Sequence, residues 1–110
     1  MSEKAFKRTE RAVAARLGGK RVPITGRQRG DVPDVAHPLY SVEVKHRQSI
    51  PAWLKDAVSQ AVAASTPQQI PIVVLHEAGQ RHGNDLVVIP LSEFTAWYGA
   101  VSTPEGEMLG

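Results

Sequence analysis

The run Ile70-Pro71-Ile72-Val73-Val74-Leu75-His76 is apolar through all but its last residue. A strand with one wet face alternates apolar and polar side chains, whereas a continuous apolar run is the pattern of a strand covered on both faces. Asp85 to Ile89 reads as a second strand of this kind, beyond a polar loop, Glu77 to Asn84, that carries two glycines. Covering both faces of a sheet takes helices, and the chain supplies three candidates. Glu3 to Leu17 is rich in Ala, Lys, Arg and Glu and has no proline or interior glycine, and Gly18-Gly19 supplies its stop. Pro51 to about Ser65 has an apolar face of Trp53, Leu54, Ala57, Val58, Ala61 and Val62, Ser49 nearby as a cap, and Thr66-Pro67 at its end. Leu91 to Tyr98 is a short third helix with Ser92 as its expected cap.

Between the first two helices lie three strand-like runs. These are Arg21 to Thr25, Val32 to His37 and Tyr40 to His46, with Pro38-Leu39 as the turn between the last two. The element order is α-β-β-β-α-β-β-α, and the expectation is an α/β fold with a central mixed sheet flanked by helices. A length of 110 residues suits a single domain with a modest core. We place that domain at residues 1–98 and expect a flexible tail over 99–110.

With no cysteine, disulfides and thiolate metal sites are excluded. The segment Met1 to Lys7 is polar and charged, and no apolar run approaches the roughly 20 residues that span a bilayer. These features predict a soluble protein of the cytoplasm with no membrane partner. The charge is divided. Met1 to Ile50 holds eleven Lys or Arg against five Asp or Glu, a balance of +6, and Pro51 to Gly110 holds two against six, a balance of −4. A basic half of this kind suits a phosphate backbone, although a solvated basic face has the same composition.

The chemistry sits at the Pro38-Leu39 hairpin. With those residues as turn centre, His37 opposes Tyr40, Ala36 opposes Ser41, Val35 opposes Val42, and Asp34 opposes Glu43. Alternation then places Asp34, Glu43 and Lys45 on one face and Val35, Val42 and Val44 on the core face. Opposed residues have Cβ atoms about 5 Å apart, and two carboxylates at that distance repel unless a cation lies between them. A hard cation such as Mg²⁺ meets that need, and Lys45 offsets part of the repulsion. A one-residue slip would reverse the faces. The structural alternative for the three residues is a solvated hairpin face with an ion pair. On the first helix, Phe6, Val13 and Leu17 form an apolar stripe that Glu10 interrupts, and an unpaired carboxylate there would be costly to bury. The structural alternative for Glu10 is a carboxylate at the edge of the stripe, paired with a neighbouring Arg.

Pro33-Asp34, separated by eight residues from Glu43-Val44-Lys45, resembles the Pro-Asp…(Asp/Glu)-X-Lys signature of the PD-(D/E)XK nuclease superfamily. The context is similar too: an acid-bearing N-terminal helix, the lead-in Gly26-Arg27-Gln28-Arg29-Gly30-Asp31-Val32, the Glu-Val-Lys strand and a following helix. The arrangement, over roughly Lys4 to Pro90, looks most like small phage-type Holliday junction resolvases.

The resemblance implies a restriction-endonuclease-like sheet and a metal-dependent DNA endonuclease acting on branched double-stranded DNA, and it implies the site residues as well. Asp34 and Glu43 would be ligands for one or two Mg²⁺ or Mn²⁺ ions, with the Val44 carbonyl as a further ligand. Lys45 would be the catalytic lysine and Glu10 the helix acid that completes the site. A homodimer is implied as well, and the cytoplasm of a bacterial host if the chain is phage-encoded. Arg27, Arg29 and Arg47, with Lys7 and Arg11 of the first helix, are the candidate phosphate contacts. Asp31 is an alternative to Asp34, and Gln60 is a candidate on the second helix. Trp53, Trp97 and Tyr98 could stack on bases, though core or interface anchoring is the simpler reading. His37, His46, His76 and His82 show no convincing metal-ligand spacing; His46 follows Lys45 and could reach a phosphate, and His76 reads as structural. The rival functions are another nicking, repair or restriction-type nuclease of this superfamily, or a non-catalytic nucleic-acid-binding module on the same fold.

Overall fold

The computed structural model describes residues 4–23 and 32–99. The expected loop arginines Arg27 and Arg29, the alternative acid Asp31 and the tail beyond Gly99 lie outside the described residues. The chain is mixed α/β. Its elements are α1 (Ala5–Leu17), β1 (Lys20–Arg21), β2 (Val35–Ala36), α2 (Ala52–Ala64), β3 (Val73–Leu75), a 3₁₀ turn (His82–Asn84), β4 (Leu86–Val88) and α3 (Leu91–Tyr98). The described strands form two separate two-stranded antiparallel sheets, β1-β2 and β3-β4. The described residues divide into two compact units, residues 4–23 and 32–47 with Gly99, and residues 48–98.

In the first unit, α1 ends as its glycines predict. Gly18 adopts a left-handed φ of 79°, and the Gly19 amide donates back to the Ala14 carbonyl at 2.8 Å, closing a Schellman motif. The next glycine is needed for space. A Cβ on Gly19 would lie 2.4 Å from the Ala36 carbonyl oxygen and 2.8 Å from Val35 Cγ1. This close approach seats α1 against the sheet. Ala14, Leu17 and the fully buried Val35 make the small apolar centre of the unit.

β1 pairs with β2 through Lys20 opposite Ala36 and Arg21 opposite Val35. On the other side of β2, Val35 bridges Val42 in antiparallel register, the pairing expected for a turn centred on Pro38-Leu39. The continuous strand expected from Tyr40 to His46 is not formed. It is reduced to that bridge, because beyond Val42 the Val44 amide turns to a side chain rather than to a backbone carbonyl. His37 braces the turn. The Leu39 amide donates to its Nδ1 at 3.1 Å, which leaves the ring hydrogen on Nε2 to donate to the Leu17 carbonyl at 2.7 Å. That contact satisfies one of the open carbonyls at the end of α1.

In the second unit, β3 and β4 pair in register Val73–Val88, Val74–Val87 and Leu75–Leu86, and α2 packs against β3. Here the expectation of strands buried on both faces is overturned. Val74 is 53% exposed and Val87 55%, and Ile72 and Leu86 are also exposed. A two-stranded sheet has no further strands beside it, so its apolar residues exceed the area its neighbours cover. The expected serine caps are not used either. Neither Ser49 nor any other side chain caps α2, whose first-turn amides at Leu54 and Lys55 bond to the Pro51 carbonyl. In α3 the Phe94 amide bonds to the Pro90 carbonyl, which places Ser92 inside the helix. Among the described residues no helix is long and apolar enough to cross a membrane.

Candidate functional site

The site is built from three segments of the first unit: α1, β1 with the residues after it, and the β2 hairpin. Asp34 precedes β2. Its backbone is held on both sides, the Val22 amide donating to its carbonyl at 2.9 Å and its own amide donating to the Val42 carbonyl at 2.9 Å. Its side chain is held as well. The Val44 amide donates to Asp34 Oδ2 at 2.6 Å, a short charge-assisted bond.

Glu10, the acid that interrupts the apolar stripe of α1, is explained by Arg21. The Arg21 Nε–H donates to Glu10 Oε1 at 2.7 Å, with only 17% and 13% of the two side chains exposed. The pair ties α1 to β1. Glu10 and Asp34 then line one pocket of about 300 Å³, together with Phe6, Lys7, Arg21 and Pro23. Two acids far apart in the chain, one on a helix and one just before a strand, therefore line the same space with two cations beside them.

Glu43 and Lys45 occupy the expected exposed face of the hairpin, opposite the half-buried Val42 and Val44. They pair with each other, Lys45 Nζ to Glu43 Oε2 at 3.3 Å, at 65% and 60% exposure. They do not line the pocket that Glu10 and Asp34 share. Nor do Glu10, Asp34 and Glu43 form a tight cluster of ligand atoms: among the described residues only His76, His82 and Asp85 form a set lying within 4.8 Å of one another. The donor set of the hairpin site is oxygen alone, which fits a hard cation.

The flanking cations are spread along the same unit. Lys7 lines the shared pocket. Arg11 lies on a neighbouring surface hollow beside Lys20 and Arg21. Arg47 is exposed, its Nη1–H donating to the His46 carbonyl at 3.0 Å. His46, next to Lys45, is anchored to α1: its Nδ1 lies 2.8 Å from Thr9 Oγ1, and that hydroxyl donates to the Ala5 carbonyl. Gln60 is an exposed residue of α2 in the second unit, as is Trp53.

Three features escaped the sequence reading. An arginine partner was the structural alternative expected for Glu10, but its identity was not: Arg21 lies eleven residues away and carries no local signal. The Thr9–His46 contact spans still more of the chain. The third is a cluster at the β3-β4 loop, where His76 and His82 both approach Asp85. The available signal for it was the pairing of β3 with β4, which sets the residues flanking the two strands opposite each other. Comparison of the chain with protein-family models, with curated proteins and with solved structures finds no match.

Proposed function

We propose that this chain is a divalent-metal-dependent endonuclease of the PD-(D/E)XK type that hydrolyses phosphodiester bonds in branched DNA, working as a homodimer on a restriction-endonuclease-like fold. The observation that carries this reading is the convergence of Glu10 and Asp34 on one pocket, with Glu43 and Lys45 on the other arm of the hairpin, just beyond the Val35–Val42 bridge.

Asp34 and Glu43 would hold the ion, with Glu10 and the Val44 carbonyl as further oxygen donors. When bound, Mg²⁺ or Mn²⁺ polarises the phosphodiester and lowers the pKa of water. The chain's own residues do the rest. The Val44 amide fixes the Asp34 carboxylate in one orientation. Lys45 carries an exposed positive charge beside Glu43, suited to orient the attacking water and to offset charge as it develops. Lys7, Arg11 and Arg47 supply contacts to the phosphate backbone.

A second reading, a nucleic-acid-binding module without catalysis, draws on the Arg21–Glu10 and Lys45–Glu43 pairs, which supply each glutamate with a counter-charge from the chain itself. Cleavage of a labelled four-way junction and of a linear duplex, each with Mg²⁺ and with EDTA, separates the two. Metal-dependent cutting of the junction by the wild type, lost in Asp34→Asn, supports the resolvase. Equal cutting of both substrates keeps the nuclease and discards junction selectivity. Tight binding with no cutting of either leaves the binding module.

A further inference from the structure

We infer that the β3-β4 loop carries a zinc site formed by His76, His82 and Asp85, separate from the oxygen-donor site of the hairpin. The register of the sheet creates it. Leu75 pairs with Leu86, so His76 and Asp85, the next residues outward, face each other across the two strands. The loop between them returns through the 3₁₀ turn His82–Asn84, and the Asp85 amide bonds to the His82 carbonyl at 3.0 Å. This brings His82 back over the strand ends.

Asp85 is the centre of the group. One carboxylate oxygen lies 2.6 Å from His76 Nδ1 and the other 3.2 Å from His82 Nδ1. The two imidazole rings stack with centroids 4.4 Å apart. One ligand atom from each residue falls within 4.8 Å of the others. Around a tetrahedral zinc ion, with Zn–N near 2.0–2.1 Å, neighbouring ligand atoms sit about 3.3 Å apart, so side-chain rotation alone closes the group onto an ion. Asp85 is largely buried, at 13% exposure, and gives the site a fixed member. His82 is 85% exposed and is the member free to move.

The donor chemistry selects the ion. Two imidazoles and one carboxylate suit Zn²⁺ and its neighbours among the transition metals, whereas Mg²⁺ prefers oxygen and retains its waters. Three protein ligands leave a fourth position for water or an exogenous ligand. His76 also lines a pocket of about 270 Å³ with Leu75, Glu77, Gln80, Asn84 and Leu86. An ion here ties the two ends of the loop together.

The test is Zn²⁺ titration of the tag-free full-length chain by calorimetry, with Co²⁺ absorption as a second readout. We expect one equivalent of Zn²⁺ and visible bands typical of low-coordinate cobalt. His82→Ala, at an exposed position that leaves the fold intact, should weaken binding by at least about a hundredfold, since even indirect supports of a metal site are worth 10–100-fold. Asp85→Asn should do the same, and Asp34→Asn should bind Zn²⁺ like the wild type. Absence of stoichiometric binding, unchanged affinity in His82→Ala, or loss of binding in Asp34→Asn would each overturn the assignment. The inference is independent of nuclease activity, which these titrations do not read.

Discussion

The Val44 amide donates to the Asp34 carboxylate across the hairpin at 2.6 Å, so the same side chain that is the candidate ligand also completes the strand pairing that positions it. Structural and chemical roles are therefore superposed on Asp34, and two substitutions separate them. Asp34→Asn keeps an oxygen acceptor for the Val44 amide and removes the charge. Asp34→Ala removes both and leaves that amide unsatisfied, at a cost of about 1–3 kcal/mol. Urea denaturation should show Asp34→Ala clearly less stable than Asp34→Asn, while junction cleavage is lost in both. Equal stability of the two variants would mean that the hydrogen bond does not hold the hairpin.

The two ion pairs of the first unit should behave differently. Lys45 and Glu43 are exposed, and such pairs are worth less than about 1 kcal/mol. Lys45→Ala should leave the unfolding midpoint nearly unchanged and abolish metal-dependent cleavage. A stable Lys45→Ala protein that still cuts would remove Lys45 from the mechanism.

Arg21 and Glu10 are mostly shielded from water, and removing one partner strands the other. Arg21→Ala should destabilise by about 1–3 kcal/mol, less than a fully buried pair because both side chains keep some water contact. A double-mutant cycle with Glu10→Gln should give a clear coupling energy, read by thermal or urea denaturation. Additive single effects would show that the pair contributes nothing beyond its separate members.

Gly18 and Gly19 are adjacent but serve different needs. Gly18→Ala places a side chain at a left-handed φ, a cost of about 1 kcal/mol. Gly19→Ala drives a methyl group into the Ala36 carbonyl and Val35 and should cost about 1–3 kcal/mol or more. The order of unfolding midpoints should therefore be wild type, then Gly18→Ala, then Gly19→Ala.

Much of this architecture was legible along the chain. The helix formers before Gly18 and the Thr66-Pro67 stop marked the ends of α1 and α2, because helix periodicity and termination are local properties. Pro38-Leu39 located the hairpin turn, and alternation from it predicted the Val35–Val42 pairing and the exposed face that holds Glu43 and Lys45. Turn position and strand period are enough for that, since a register follows from where the chain reverses.

What the tertiary structure alone decided are the contacts between residues with no local relation. The sequence marked Glu10 as an anomaly on an apolar stripe but could not supply Arg21 as its partner. It offered four histidines without a metal-ligand spacing, and only the pairing of β3 with β4 and the return of the loop set two of them against Asp85. The apolar run Ile70 to Leu75 recorded the hydrophobicity of a buried strand, yet Val74 lies open because coverage depends on neighbouring elements rather than on the strand itself. Periodicity is written in consecutive residues; partnership and burial arise only when distant segments meet.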